Sequence, residues 1–158
     1  LYQLIANDSK KKQSLFLTAL TNPQKALDKI CDIGKEFDIS VTKEEVIDNI
    51  KSMAEIANAN GIKVFLSSIL PTYDFIWTPG VYPANDVISI NEEIKIYCEN
   101  TKSIYVDYHT SMKDKRDGLK DEFTYWVEEV ERYDGVHPNK EGYIHMEKIV
   151  SKKIKEVL

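Results

Sequence analysis

Asp134 and His137 stand three residues apart in the stretch Asp134-Gly135-Val136-His137-Pro138-Asn139. If this stretch is a turn, held between a glycine and a proline, both side chains emerge on the same side of it. The carboxylate can then accept from one imidazole nitrogen and leave the other free to act as a base. That is two thirds of a hydrolytic triad, and a nucleophile is the missing third. The other chemistry-bearing residues are weaker candidates. His109 follows a predicted strand and His145 sits on the predicted last helix, and both read as structural or surface groups. With His137 they form no tight ligand spacing, so no metal site is expected. Ser67 and Ser68 fall inside a predicted buried strand and are poor nucleophiles.

The elements that must position the pair are legible from residue 42 onward. Thr42 with Glu45 forms a capping box at a helix start, and Asn60-Gly61 supplies its stop. Val46, Ile50, Met53 and Ala57 recur at helical spacing between them, with Ile47 and Ala54 widening the stripe. Residues 62–70 are a near-continuous apolar run, as expected of a strand covered on both faces and ended by Pro71. Residues 72–84 form a loop rich in aromatics and prolines, either a packed cover or the lining of a site. A second helix is expected from Asn85 or Asp86 to Asn100, with Val87, Ile90, Ile94 and Cys98 inward. Residues 104–108 read as a strand and residues 110–132 as a polar connection containing Tyr125-Trp126. A last helix, from Lys140 to Val157, carries Tyr143, Met146, Val150 and Ile154 on one side. Toward the start, residues 1–6 read as a buried strand leading into Asn7-Asp8-Ser9. Lys10-Lys11-Lys12 is a solvated run, and residues 13–33 are loosely helical, broken at Asn22-Pro23.

Strand alternating with helix predicts an α/β fold, a parallel sheet with helices on both faces and the chemistry in loops beyond the strand ends. The 158 residues suit a single domain over 1–158. A net charge of −5 argues against nucleic acid as a partner, and no apolar run is long enough for a membrane span. There is no signal-peptide pattern and the first residue is Leu1, so the reading expects a start that has been trimmed or lost and leaves the compartment open. Cys31 and Cys98, far apart in sequence, read as buried thiols.

The text around these elements resembles the SGNH (GDSL-like) serine esterases. Asp134-Gly135-Val136-His137-Pro138-Asn139 followed by Gly142-Tyr143 looks like that family's last block. Residues 44–59 resemble its middle helix, 61–71 its following strand, and Val106-Asp107-Tyr108 its penultimate strand, so the similarity spans roughly residues 41–150. Phe75-Ile76-Trp77-Thr78-Pro79 is similar to the tryptophan-containing loop of bacterial secreted or periplasmic acyl-esterases. The resemblance implies a flavodoxin-like fold and a serine raised by His137, with Asp134 orienting the ring. It also implies an oxyanion hole built from amides and an asparagine, with no metal and no organic cofactor. The implied substrate is a small acyl ester, such as an acetyl group on a carbohydrate or a short-chain lipid ester.

The chain departs from the family at its opening block, since no Gly-Asp-Ser or Gly-Asn-Ser tripeptide occurs. Asn7-Asp8-Ser9 can stand in two ways. Either Ser9 is the nucleophile with Asn7 in place of the glycine, or Asn7 is the oxyanion residue and the serine lies on a stretch upstream of Leu1. In either case the sheet is expected to leave an apolar strand edge open to self-association. The rival reading is a non-catalytic or truncated relative that keeps the scaffold as a binding module.

Overall fold

The computed structural model describes residues 41–157. Contacts divide the chain into two units, 1–42 and 43–158, of which the second is the one described. The expectations for residues 1–6, Asn7, Ser9, Lys10–Lys12, the helical stretch at 13–33 and Cys31 lie outside the described residues.

Helix α1, Lys43–Ala59, begins directly after Thr42, with Glu44 and Glu45 in its first turn. Acidic side chains there complement the positive end of the helix dipole. Its end is a Schellman motif, in which the Ile62 amide donates to the Ala57 carbonyl at 3.0 Å and the Gly61 amide to Asn58 at 3.1 Å. Gly61, at φ +73°, supplies the left-handed residue this motif requires.

Strands β1, Phe65–Ser67, and β2, Ile104–Val106, pair in parallel with Leu66 opposite Tyr105. Helix α2, Ala84–Glu99, is the crossover between them. The period of two along the strands sorts the core into two layers. Leu66 and Tyr105 pack against Ile47 of α1 and Ile90, Ile94 and Cys98 of α2. Phe65 and Val106 pack on the other face with Met112, Phe123, Met146 and Val150. Met146 and Val150 belong to α4, Lys140–Val157, so helices cover both faces of the strand pair. The molecule is therefore mixed α/β, with a parallel sheet between helices.

Several elements differ from expectation. The apolar run at 62–70 yields only three strand residues. Beyond them Ser68 turns its hydroxyl to the Tyr108 and His109 amides, accepting both at 2.9 Å. Asn91 closes the next step, accepting from the Ile69 amide at 2.7 Å and donating to the Ile69 carbonyl at 3.0 Å. Ser67 is exposed rather than buried. On α1 Ile47 and Ala54 are buried and Val46 and Ile50 pack half-buried against the core, while Met53 is 64% exposed. Tyr143 also faces out of α4. The connection at 110–132 is structured, with helix α3 at His109–Met112 and strand β3 at Thr124–Val127. Strand β3 pairs antiparallel with β4, Arg132–Pro138.

The start of α4 is pinned to this hairpin by Asn139. Its Oδ1 accepts from the Gly142 amide at 2.9 Å, an N-cap bond. Its Nδ2 donates to the carbonyls of Glu122 at 3.0 Å and Thr124 at 2.8 Å. Gly142 sits so close to Phe123 that a Cβ there would lie 2.7 Å from the Phe123 carbonyl oxygen. Replacing Asn139 by alanine removes the cap and strands two carbonyls. It is expected to lower stability by about 2 kcal/mol, measured as a shift in the urea midpoint at constant slope.

Candidate active site

The Asp134–His137 stretch is not a turn between strands but a bulge within one. Tyr133 pairs with Trp126 and Pro138 with Thr124, so the four residues 134–137 stand opposite Tyr125 alone. Gly135 carries the φ of +75° that lets the backbone loop out, and a side chain would otherwise meet nothing there. Its conformation, not its lack of bulk, is what the site uses. Thr124, 2% exposed, closes the loop from across the hairpin. Its hydroxyl accepts from the Gly135 amide and donates to the His137 carbonyl, both at 3.1 Å.

Inside the bulge Asp134 is 9% exposed. Its Oδ1 accepts from the amides of Val136 at 2.8 Å and His137 at 2.7 Å. His137 Nδ1 lies 3.1 Å from both carboxylate oxygens. Burial pushes the Asp134 carboxyl up, but the bonds from the His137 amide, the His137 ring and the Val136 amide together outweigh it. The net shift holds the group below its ordinary value. An ionised acceptor at Nδ1 selects the tautomer in which that nitrogen carries the proton. Nε2 is then the acceptor, on a side chain that is 65% exposed. Such a pair can take a proton from a neighbouring hydroxyl and return it to a leaving group.

The aromatic loop reaches the pair from the other side. The Trp77 ring lies 5.7 Å from the His137 ring and, tilted by 33°, 5.3 Å from the Phe75 ring. The loop is tied down by Asp74, which accepts from the Arg132 guanidinium at 2.6 and 3.0 Å, two residues before Asp134. This fork-to-fork geometry fixes direction as well as distance. Because both partners are partly exposed, Asp74→Asn is expected to cost under about 1 kcal/mol of stability. It should instead speed hydrogen exchange across residues 72–84, read by mass spectrometry.

Asp134 and His137 are thus brought together as their spacing suggests. Asn7 and Ser9 lie outside the described residues, and among the described residues no hydroxyl is hydrogen-bonded to the His137 ring. Spacing alone did not point to Thr124 or the Asp74–Arg132 pair, whereas Trp77 was signalled by the aromatic content of the loop and its family-like text. The three histidines are not gathered. His145 Nε2 meets the Ser111 hydroxyl at 2.9 Å and its ring stacks on Phe123. His109 is buried with Nε2 unpartnered, and burial, then Lys113, pushes its pKa down. Among the described residues no group of three His, Cys, Asp or Glu could hold a metal ion, and no helix is long and apolar enough to cross a membrane. The Cys98 thiol is buried, and burial, then Glu99, pushes its pKa up.

Over residues 1–63 the chain matches a family model described as a domain of unknown function, DUF8665. No curated protein matches. Among solved structures it is similar to a "putative acylhydrolase" from Bacteroides fragilis, at 34% identity and a TM-score of 0.66. That match covers 74% of this chain and 53% of the other. A GDSL-like lipase from Bacteroides thetaiotaomicron is 34% identical with a TM-score of 0.66, over 75% of this chain and 55% of that one. A "putative platelet activating factor" from Streptococcus pneumonia shares the fold at 20% identity, with a TM-score of 0.59 over 77% and 54%. The chain spans about half the length of each of these structures. At the level of fold it is related to acylhydrolases and GDSL-like lipases.

Proposed function

We propose that this chain is part of an SGNH-type serine hydrolase that cleaves small carboxylic esters, with Asp134 and His137 as the acid–base half of its machinery. The observation that carries this reading is the bulge-held pair itself. A buried, ionised Asp134 meets Nδ1 of an imidazole whose far side is open. The 34% identity to an acylhydrolase and a GDSL-like lipase supports the reaction class.

His137 Nε2 removes the proton from a serine hydroxyl as that oxygen attacks the ester carbonyl. Asp134 stabilises the imidazolium so formed. Collapse of the tetrahedral intermediate breaks the bond to the alcohol oxygen, which takes the proton back from Nε2. Water then attacks the acyl-serine with the same nitrogen as base, releasing the carboxylic acid and restoring the serine. The nucleophile is Ser9 or a serine upstream of Leu1, and in the second arrangement Asn7 donates to the oxyanion. No step calls for a metal or an organic cofactor. The native gene product is expected to hydrolyse 4-nitrophenyl acetate with a burst of nitrophenol equal to the enzyme concentration when deacylation is slow. A folded native product with no turnover of any short-chain ester would overturn the reading.

A further inference from the structure

Trp77 is 55% exposed, yet the loop that carries it is anchored. Pro71 and Thr72 are buried at its base, and the Tyr73 and Tyr82 rings meet 5.5 Å apart across it. At its tip the Thr78 amide donates to the Phe75 carbonyl at 3.2 Å, closing a tight turn with Trp77 as its third residue. The Asp74–Arg132 fork ties the same loop to the strand that carries the bulge. The indole is therefore held open beside the His137 ring, 5.7 Å away. We infer that Trp77 is a specificity-determining residue: its open face packs on the alcohol half of the ester and selects alcohols that present an apolar face. The inference rests on the hydrolase reading for the bond that is cleaved.

The chemistry of the step decides between the two halves of the substrate. The tetrahedral intermediate carries the serine oxygen, the oxyanion, the acyl chain and the alcohol oxygen. His137 Nε2 takes its proton from the first and returns it to the last, so both of these oxygens must lie beside the imidazole. The oxyanion and the acyl chain are then directed away from it. The carbons bound to the alcohol oxygen are the substrate atoms that come nearest to whatever flanks the imidazole, and Trp77 flanks it.

The loop also decides the character of that alcohol. Residues 75–82, Phe-Ile-Trp-Thr-Pro-Gly-Val-Tyr, contain no charged side chain. Asp74, the carboxylate next to them in sequence, is occupied by Arg132. A cationic alcohol could use the indole face, but this segment has no free carboxylate to complete its charge. What remains is a flat ring, fixed before the ligand arrives, whose water an alkyl or aryl surface displaces at little entropic cost.

Two measurements on the native gene product test this apart from the hydrolase reading. Because Trp77 is more than half exposed, Trp77→Ala and Trp77→Phe are both expected to fold. In the first measurement, kcat/KM for benzyl acetate is divided by that for methyl acetate, which shares its acyl group. The ratio is expected to exceed about ten, to fall at least about tenfold in Trp77→Ala and to recover in Trp77→Phe. The ratio of ethyl hexanoate to ethyl acetate, which varies the acyl half alone, is expected to stay within about twofold across the three proteins. Turnover with a benzyl-to-methyl ratio that Trp77→Ala leaves unchanged would overturn the assignment and leave the hydrolase standing. A loss confined to the acyl ratio would overturn it as well. In the second measurement, benzyl alcohol is titrated while the His137 ring C–H and the Trp77 indole N–H are followed by NMR. Both are expected to shift and saturate in the millimolar range, and the His137 shift to disappear in Trp77→Ala. This readout needs no turnover. Saturation without hydrolysis of any ester would remove the hydrolase reading and keep the alcohol site, and no shift at either ring would overturn the site itself.

Discussion

His137→Ala is expected to lower kcat/KM for a short-chain ester by at least about 10³-fold while leaving the thermal midpoint within a degree or two of wild type. The two halves of this expectation come from the same geometry. The imidazole side chain is 65% exposed and contributes little burial, so removing it opens no cavity. What stays behind is the carboxylate of Asp134, still held by the Val136 and His137 amides. The backbone of residue 137 also keeps its bond from the Thr124 hydroxyl. The bulge therefore survives without the ring. Loss of activity together with loss of fold would mean that His137 is a packing residue. Unchanged activity in a folded variant would remove it from the chemistry.

Asp134→Asn has nearly as large an expected effect on rate, of order 10³- to 10⁴-fold, but by a different route. The asparagine oxygen can go on accepting the two amides. Its NH₂ group then faces Nδ1 as a donor, which demands the opposite imidazole tautomer and puts the proton on Nε2. The base is lost although the ring stays in place. Asp134→Ala goes further, leaving two amides without an acceptor, and is expected to cost about 2–4 kcal/mol of stability as well.

The acid also carries a pH signature. Burial pushes its carboxyl up, the amide and imidazole bonds outweigh that, and its pKa in the folded protein lies below the unfolded value. The unfolded chain therefore binds this proton more tightly than the folded one. The stability contributed by Asp134 is fully present above the ordinary carboxylate pKa of about 3.9. It is lost as pH falls through that range toward the lower folded value. Chemical denaturation at a series of pH values should show wild type losing stability faster than Asp134→Asn below about pH 4. Parallel curves would contradict the pairing.

The parts of this structure that could be read from the sequence are those fixed by local rules. Helix α1 starts and stops where Thr42 and Asn60-Gly61 place its ends, and the four residues that periodicity selects on α2 are buried, together with a fifth, the polar Asn91. The covered face of α1 could not be chosen in this way. Its apolar residues form two overlapping stripes, and only packing against the cluster of Ile90 and Ile94 on α2 selects Ile47, with Val46 and Ile50 beside it, over Met53. Strand β3 was hidden because Thr124-Tyr125-Trp126-Val127 is short and followed by acidic residues, and it is a strand only through its pairing with β4. The site divides along the same line. Asp134 and His137 are legible because the bulge that joins them is local. Thr124, 13 residues away from its partner His137, and Asp74, 58 away from Arg132, are placed by tertiary structure alone.

The central claim is that the Asp134–His137 pair activates a serine. The most direct measurement is covalent labelling of the native gene product by a fluorophosphonate, with the modified peptide mapped and the rate of labelling followed. The account predicts one labelled serine, at Ser9 or upstream of Leu1. It also predicts no labelling in His137→Ala. Labelling at an equal rate in His137→Ala, or none in a folded native protein, would contradict it.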